Sequence, residues 1–407
     1  MGTRTDGDTS ADRPALSADT LALSALLDVD HPLKRETADL AAERFAQRST
    51  TFDRDRWQTA ADLGLLGLRA DPRWGGAGRS SVEALLRFEG LGLGTPDNGL
   101  AFSLASQVFA TQTALEEAGS DDQRDRWLRP LVDGSAIGSF AMTEPAAGSD
   151  AASITTTATP TADGFRLQGE KCWVTLGPVA DLAIVFATED PEKGPWGITA
   201  FLVPLDLPGV TVSPAIAKAG LESCPFGSIT LDAEVPADAV LGRRGAGMSI
   251  FTSAVEAERA FLYGCQLGAT ERLLQRSIER ARSRRQFDQP IGQFQAVGHR
   301  LADMKLRHET SRLLVYKAAI LHDRGESVTM AAALAKLQAS ESAVESAVDA
   351  VRLHGAEGYT VAAGVEAEVR DALGGLAYSG TSDIQRNIVV RLLGADRPSR
   401  PSRGGTP

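Results

Sequence analysis

The sequence contains few of the residues that bind metals or form disulfides. Its three cysteines, Cys172, Cys224 and Cys265, are widely spaced and odd in number among 407 residues. This usage is typical of a reducing cytoplasm and provides no metal-ligand spacing. The five histidines are scattered and form no His-Glu-x-x-His or similar motif. We therefore expect a cytoplasmic protein without a metal site.

Positive charge and long apolar runs are also scarce. The chain has 42 Lys and Arg residues against 53 Asp and Glu residues, which gives a net charge of -11. Binding to a nucleic-acid backbone requires a basic face, and no run here supplies one. No apolar stretch approaches the ~18 residues of a membrane span, and the N-terminus lacks the hydrophobic segment of a secretory signal. The sequence thus predicts neither nucleic acid nor a membrane as a partner.

Apolar spacing divides the chain into helical and extended regions. Residues 25–138 carry apolar side chains three and four apart, as at Trp57, Ala61 and Leu65, which predicts amphipathic helices. Residues 139–243 contain short alternating and β-branched segments between Pro and Gly turns, which predicts strands. Helical spacing then returns in four long segments with short connectors, a pattern typical of a four-helix bundle. These segments are 247–280, 290–323, 329–353 and 380–394.

These patterns predict an α+β protein with three domains. The fold would combine an N-terminal α-helical domain, a middle β-barrel or sandwich domain and a C-terminal four-helix bundle. Both chain ends are polar or rich in Gly, Pro, Ser and Arg, which predicts a disordered N-terminus and a flexible tail. The predicted boundaries are 1–22 for the disordered N-terminus, 23–138, 139–243 and 244–395 for the three domains, and 396–407 for the tail.

Two short stretches of the middle domain have the composition of a ligand-binding slot. Residues 140–150, Phe-Ala-Met-Thr-Glu-Pro-Ala-Ala-Gly-Ser-Asp, end a predicted strand in a turn whose small residues allow close approach. Thr143 and Ser149 add hydroxyl groups there. Residues 169–175, Gly-Glu-Lys-Cys-Trp-Val-Thr, place an indole and the Thr175 hydroxyl on a strand. Together the stretches predict a site for a flat polar ligand, whereas either one alone is also compatible with ordinary β-domain packing.

In this order and spacing, the two stretches resemble the middle domain of the acyl-CoA dehydrogenase family. The resemblance extends from about residue 35 to about residue 395. It implies an FAD-dependent oxidoreductase that removes two hydrogens from the α and β carbons of an acyl thioester, and it implies the same order of three domains. The other segments that carry it are 54–57, 63–68 and 75–78 near the N-terminus, and 284–295, 355–359 and 378–386 near the C-terminus.

The resemblance also implies which residues hold FAD, a cofactor with an apolar ring and a charged pyrophosphate. Arg284 would meet the pyrophosphate of a flavin held by a neighbouring subunit, although an arginine in a basic run at a helix end is often only solvated. A shared site requires at least a homodimer, and the family is usually a homotetramer. The residues implied at the ring are Phe140, Met142, Thr143, Ser149, Trp173 and Thr175. The other FAD-binding positions implied are Phe287, Gln295, Arg352, Gly355, Ala356, Thr381 and Asp383.

Three departures from the family pattern surround this cofactor. Asp288 replaces the glycine that usually follows the phenylalanine, and Leu176 replaces a polar residue after the Trp-x-Thr turn. Nearer the C-terminus, Arg352 and Ala356 replace a glutamine and one of a pair of glycines. A methyl group there could push a phosphate away, whereas the added cation could hold it. We expect FAD to bind nonetheless.

The catalytic base of most relatives is missing from its usual position. Removal of the α-proton requires a carboxylate across the substrate from the flavin. Most of the family supplies it from a Tyr-Glu-Gly-Thr turn, where this chain has Ser379. Glu258 matches the position that supplies the base in the isovaleryl-CoA and long-chain members, while the Ser379 backbone N–H could still donate to the thioester oxygen. The substrate-binding residues implied are Ser149, Glu256, Arg259 and Gly380.

Three functions are compatible with these residues. The first is dehydrogenation of an acyl thioester on coenzyme A or on a carrier protein, with an electron-transfer flavoprotein or oxygen as the electron acceptor. The second is a flavin-dependent oxidase or monooxygenase on a non-thioester substrate, because relatives without the turn glutamate include such enzymes. The third is a non-catalytic acyl-binding subunit, in which Glu258 would be an ordinary acidic residue on a solvated helical turn.

Overall fold

The computed structural model describes residues 18–395. Helix α1 (Ala18–Leu27) begins before the predicted domain boundary, so the last residues of the segment predicted to be disordered are helical. They fold because Leu21 and Leu26 pack against the largest apolar core, and burial of leucine offsets the cost of ordering the chain. The rest of that segment and the predicted tail, 396–407, lie outside the described residues.

Short helices form the N-terminal domain. Side-chain caps begin several of them: Asp53 accepts from the backbone N–H of Asp55, and Ser80 accepts from that of Glu83. None of the described helices combines the length and the apolar composition needed to cross a bilayer. After α1 come α2 (Pro32–Arg44), α3 (Arg54–Asp62), α4 (Ser81–Gly94), α5 (Asn98–Ser106), α6 (Thr113–Ala118), α7 (Asp121–Gln123) and α8 (Arg129–Asp133), with π-helical turns at Gln107–Gln112 and Arg124–Leu128.

One mostly antiparallel sheet of eight strands forms the middle domain. Its order is β6-β7-β3-β2-β4-β5-β8, and β1 pairs in parallel with β4. β4 is buried along its whole length, which explains why its sequence is continuously apolar rather than alternating. The strands are β1 (Gly138–Ala141), β2 (Thr157–Pro160), β3 (Gly164–Thr175), β4 (Leu182–Thr188), β5 (Ile198–Pro204), β6 (Val210–Val212), β7 (Phe226–Pro236) and β8 (Val240–Leu241).

The C-terminal domain is helical, as predicted, with two differences. The predicted helix at 247–280 forms two segments that meet at Leu262, which keeps helical backbone angles (φ -53, ψ -33), and a helix that the periodicity did not predict, α13, lies between the last two predicted ones. A short hairpin, β9 (Arg285–Gln286) and β10 (Gln289–Pro290), follows α10. The helices are α9 (Gly247–Phe261), α10 (Tyr263–Ser283), α11 (Gln295–Asp323), α12 (Thr329–His354), α13 (Val365–Gly374) and α14 (Ser382–Leu393).

A buried cluster of charges joins the N-terminal helices to the bundle. Lys34 lies between two carboxylates: its Nζ is 3.2 Å from Glu89 Oε1 and also bonds Glu271. Arg312 Nε donates to Glu89 Oε1 at 3.0 Å. His308 lies beside the same carboxylates. Its imidazole and the carboxylates of Glu89 and Glu271 are close enough together to hold a metal ion. The Lys34 ammonium already contacts both carboxylates, so the two basic and two acidic side chains balance without a metal.

Candidate active site

The structure joins the two stretches that were predicted to form the slot. Lys171, on β3, donates from Nζ to the carbonyl oxygen of Met142 at 3.1 Å and pairs with Glu144 at 2.8 Å. The backbone N–H of Cys172 donates to the Thr143 carbonyl oxygen at 2.9 Å. Both members of the ion pair are almost fully buried. A backbone hydrogen bond and a buried ion pair therefore fix residues 140–150 to β3.

Glu144 has a structural role that the sequence did not indicate. Its carboxylate accepts hydrogen bonds from Thr155 N at 2.6 Å and from Thr156 N at 2.9 Å as well as from Lys171. Burial alone would raise the pKa of Glu144, but these hydrogen bonds outweigh it and lower the pKa to about 2. The carboxylate stays ionised and holds the turn after β1 against the start of β2.

The predicted ring-binding side chains surround an aromatic surface. Trp173 is 58% exposed, although it lies on a strand, because the β3–β7 pairing shifts register between Lys171 and Val174 and projects the indole outward. Phe140 packs edge-on against Phe186, with ring centroids 5.0 Å apart. The exposure of the other predicted ring contacts varies: Met142 is buried, Thr143 and Thr175 are half-buried, and Ser149 is exposed.

Unusual backbone conformations concentrate at the predicted site. Six non-glycine residues of the described chain have positive φ, and five of them are positions that the motifs singled out. Such conformations persist only where the surroundings determine them, and they are common at ligand sites. Leu176, one of the departures, is among them and is buried in the core. The five are Trp173 (φ 56), Leu176 (φ 63), Phe287 (φ 48), Asp288 (φ 63) and Ser379 (φ 54).

The positions predicted to meet a neighbouring subunit lie on an exposed surface. Phe287 and Asp288 form the two-residue turn between β9 and β10, and positive φ at both is the signature of a type I′ turn. Aspartate tolerates this conformation, which accounts for Asp288 in place of glycine. Phe287 is 87% exposed. The Arg284 side chain is exposed and has no hydrogen bond or ion pair within residues 18–395, and Gln295 is also exposed.

The segment that follows α12 is exposed as well. Arg352 pairs with Asp349 at 3.0 Å, and Asp349 also pairs with Arg300 at 2.8 Å. Gly355 has φ 65, and Ala356 is exposed. No hydrogen bond or ion pair connects this segment, or the β9–β10 hairpin, to residues 140–150 in the described part of the chain. One subunit therefore does not bring all of the predicted FAD-binding residues together.

The candidate base lies in the last turn of α9. Glu258 is half-buried, and burial raises the pKa of its carboxyl group to about 7, against the opposing effects of the Arg259 charge and the nearby Ser379 hydroxyl. Arg259 is directed to the turn rather than to this carboxylate, because its Nε donates to the Ser379 carbonyl oxygen at 2.8 Å. Glu256 is half-buried and acts electrostatically on Arg259. A carboxyl group with a pKa near neutrality suits a general base.

The turn opposite Glu258 offers free donors. No backbone or side-chain acceptor among the described residues bonds the N–H groups of Ser379 or Gly380. Gly380 has φ 87, and a Cβ there would lie 3.2 Å from Arg259 Nη2, so both conformation and space favour glycine. Thr381 caps α14 by accepting from Ile384 N at 3.2 Å. Asp383 is exposed on α14 and pairs with Arg386 at 3.0 Å.

Two buried polar atoms near this turn lack partners. Ser382 Oγ and Gln385 Oε1 are buried without a hydrogen bond in the part of the chain that the structure describes. Buried polar atoms are nearly always satisfied, so an unpartnered group at one turn marks a place for a polar ligand. This arrangement fits a cofactor and substrate that carry hydroxyl and carbonyl groups.

Apolar packing brings the candidate base and the slot to neighbouring surfaces. Phe251 of α9 stacks on Phe140 with ring centroids 6.1 Å apart. Ala254, one helical turn before Glu258, shares an apolar cluster with Met142. Helix α9 therefore packs against the stretch that was predicted to hold the ring.

The three-domain fold, the strained aromatic slot and the partly buried carboxylate together define a flavin-dependent oxidoreductase. Family models described as the acyl-CoA dehydrogenase N-terminal, middle and C-terminal domains match residues 28–135, 139–233 and 245–394. The chain belongs to the acyl-CoA dehydrogenase family.

Individual relatives share most of the length of this chain. An L-prolyl-(peptidyl-carrier protein) dehydrogenase of Pseudomonas fluorescens is 40% identical over 362 residues, which are 88% of this chain and 95% of that protein. The crystal structure of the prolyl acyl carrier protein oxidase AnaB has a TM-score of 0.84 and 36% identity, covering 93% of this chain and 97% of that one. The structure of PigA with FAD and proline has a TM-score of 0.85 and 34% identity, covering 94% and 98%.

These findings bear on the predictions made from the sequence. The three-domain architecture, the use of FAD and the dehydrogenation of an acyl thioester are confirmed. The roles of the individual site residues stay predictions. Sequence reasoning did not single out Gln385, although it lies within the segment 378–386; its Nε2 donates to the Gly380 carbonyl oxygen at 3.0 Å, a contact that only the fold reveals.

Proposed function

We propose that this protein dehydrogenates a prolyl group held as a thioester on a carrier protein, with Glu258 as the base. The choice of substrate is supported by the 40% identical relative named for that reaction and by the similarity to AnaB and PigA. The observation that carries the choice of base is the half-buried Glu258 carboxylate beside the turn that holds Ser379. We infer a cytoplasmic location from the three separated cysteines.

The residues present supply the groups that this reaction requires. The Glu258 carboxylate takes the proton from the α-carbon, and the electron pair of that C–H bond forms the new double bond to the β-carbon. The hydride that leaves the β-carbon would need an acceptor, and bound FAD would supply it. The free N–H of Ser379 donates to the thioester oxygen, which gains negative charge as the proton leaves. Half-burial of Glu258 keeps the proton transfer in a low-dielectric environment.

FAD would be held by two separate surfaces. The slot between residues 140–150 and Trp173 suits the flat ring, and its strained, outward indole supports this assignment. Arg284, whose exposed side chain has no hydrogen bond or ion pair in the described chain, would hold the pyrophosphate end of a flavin bound to a second subunit, and the exposed Phe287 would contact the same cofactor. We therefore propose a homodimer or homotetramer with shared sites.

An anaerobic titration tests the substrate. Purified holoprotein is mixed with L-prolyl carrier protein, L-prolyl-CoA and butyryl-CoA in separate experiments, and the flavin absorbance near its visible maximum is followed. We expect rapid loss of absorbance with the prolyl carrier protein and slower or no loss with the CoA thioesters. Bleaching by butyryl-CoA alone would overturn the prolyl assignment, and no bleaching by any thioester would overturn the dehydrogenase mechanism for this chain.

The electron acceptor is a second question, because one similar structure is named an oxidase. The reduced protein is divided between air-saturated buffer and an anaerobic solution of an electron-transfer flavoprotein. Rapid reoxidation by air with formation of hydrogen peroxide would support oxygen as the acceptor. Slow reaction with air and rapid reaction with the flavoprotein would support a dehydrogenase.

A further inference from the structure

Lys336 on α12 is a fully buried cation that forms no ion pair with the residues the structure describes. Its side chain is 0% exposed, and its Nζ makes one hydrogen bond within residues 18–395, to the carbonyl oxygen of Gly375 at 2.8 Å. Glu341, whose charge acts on Lys336, is paired instead with Arg386 at 3.4 Å. Burying an ammonium without a carboxylate is costly, so a compensating interaction is required.

The compensating interaction lies at the end of α13. Gly375 is the C-cap of that helix, and no backbone N–H of the described chain donates to its carbonyl oxygen. Tyr263 of α10 donates its hydroxyl to the same oxygen at 3.1 Å. A cation is favourable at the negative C-terminal end of a helix. Two side chains from different helices, Lys336 of α12 and Tyr263 of α10, thus hold the Gly375 carbonyl oxygen.

Gly375, whose carbonyl oxygen is held in this way, begins a short segment that ends at Ser379, the candidate donor to the thioester oxygen. Only three residues separate Gly375 from Ser379, and the far end is held by Arg259 Nε on the Ser379 carbonyl oxygen. Ser379 has φ 54, which a serine adopts only when its neighbours impose it. The segment also packs closely on α12, since a Cβ at position 375 would lie 3.3 Å from Ser340 Cβ. Both ends of this short segment are therefore fixed by side chains.

We propose that Lys336 is a positioning residue of the active site: by holding the Gly375 carbonyl, it sets the direction of the free Ser379 N–H toward the thioester oxygen. The inference rests on the proposed function, because it needs a thioester carbonyl at that N–H. Lys336 itself does not touch the substrate. The Tyr263 hydroxyl alone would be enough to cap the helix end. The Lys336 ammonium adds a second, charged donor, which restricts the position of the Gly375 carbonyl further.

The test compares two inert ligands that differ in one oxygen. 2-Furoyl-pantetheine is a thioester with a flat five-membered ring and no saturated carbon to oxidise, and 2-furfuryl-pantetheine is the matching thioether without the carbonyl. Dissociation constants are measured from ligand-induced changes in the flavin spectrum of the wild-type holoprotein and of Lys336→Met. We expect wild type to prefer the thioester and Lys336→Met to lose about fivefold of that preference, the usual worth of one hydrogen bond.

Controls separate positioning from general damage. Lys317→Met removes an exposed lysine of the neighbouring helix α11 and should keep the wild-type preference. If Lys336 only stabilised the fold, its replacement would weaken both ligands equally and leave the ratio unchanged, and that result in a folded, FAD-loaded variant would overturn the proposal. Should Lys336→Met fail to fold, Lys336→Leu, which also removes the donor to the Gly375 carbonyl oxygen, carries the same comparison with the same criterion.

The outcome is distinguishable from failure of the proposed function. If wild-type protein is not bleached by the prolyl carrier protein, the proposed function fails whatever the ligand ratio. If wild type is bleached and prefers the thioester while Lys336→Met prefers it equally, only the role of Lys336 is wrong.

Discussion

The role of Glu258 makes a quantitative prediction for the variant Glu258→Gln. The amide keeps the shape of the side chain and cannot accept a proton as a base. A positioned general base is worth about 10²-fold to 10⁴-fold in rate. We therefore expect the first-order rate of flavin bleaching by the true substrate to fall by that factor, while FAD content and the flavin spectrum without substrate stay at wild-type values.

The raised pKa of Glu258 adds a second, independent signature. A carboxyl group with its ordinary pKa of 4.5 is ionised throughout the neutral range, whereas one with a pKa of about 7 is half protonated at neutrality. Only the ionised form accepts the proton, so activity is lost as the pH falls. We expect kcat/KM to decrease about tenfold per pH unit below about pH 7 and to level off above pH 8.

The assay is rapid-mixing reduction of the holoprotein without oxygen, measured from pH 5.5 to 8.5. Glu279→Gln is a matched control, because it changes an exposed glutamate of the adjacent helix α10. It should reproduce the wild-type rate and pH profile. A wild-type rate that is flat over this range, or a Glu258→Gln rate within a few-fold of wild type, would show that another group takes the proton.

Three further changes test other parts of the structure. In the double variant Glu258→Gln/Ser379→Glu, the carboxylate returns to the turn used by most relatives, and we expect bleaching at least about tenfold faster than in Glu258→Gln; equal rates would mean that the turn cannot present a base. Lys171→Met leaves Glu144 buried without its partner, so urea unfolding of the holoprotein should show a loss of about 3–5 kcal/mol, partly recovered by adding Glu144→Gln; a loss under 1 kcal/mol would contradict the burial argument. Arg284→Gln should weaken FAD binding about tenfold to hundredfold without changing the far-ultraviolet circular dichroism, and unchanged affinity would remove Arg284 from the cofactor site.

The sequence was informative where local spacing carries the signal. The order of helical, extended and helical regions follows from apolar periodicity, and β4 follows from a short apolar, β-branched run. Helix α13 was missed, because it is only ten residues long and is flanked by Gly364 and Gly375, which read as loop signals. Local periodicity cannot report how a helix packs, and packing decides such boundaries.

For the candidate site too, the sequence identified residues within motifs but not contacts between distant parts of the chain. Residues within a motif, such as Trp173, Glu258 and Ser379, could be named from the sequence, since the motif itself carries the resemblance. Partners far apart in the chain could not: Lys336 meets Gly375 39 residues later, and Lys171 meets Glu144 27 residues earlier. Which buried cation meets which acceptor depends on the folded arrangement, and spacing along the chain does not encode it.

The pairing of Lys171 with Glu144 has a consequence for how the protein acquires its cofactor. Each charge, once buried, needs the other, so the two walls of the proposed ring site are assembled together or not at all. An apoprotein that is folded at neutral pH would already carry the finished cavity wall, and FAD would enter a preorganised receptor without first ordering a loop. In the proposed oligomer, loading would then be limited by subunit assembly, which would supply the pyrophosphate side, rather than by local refolding.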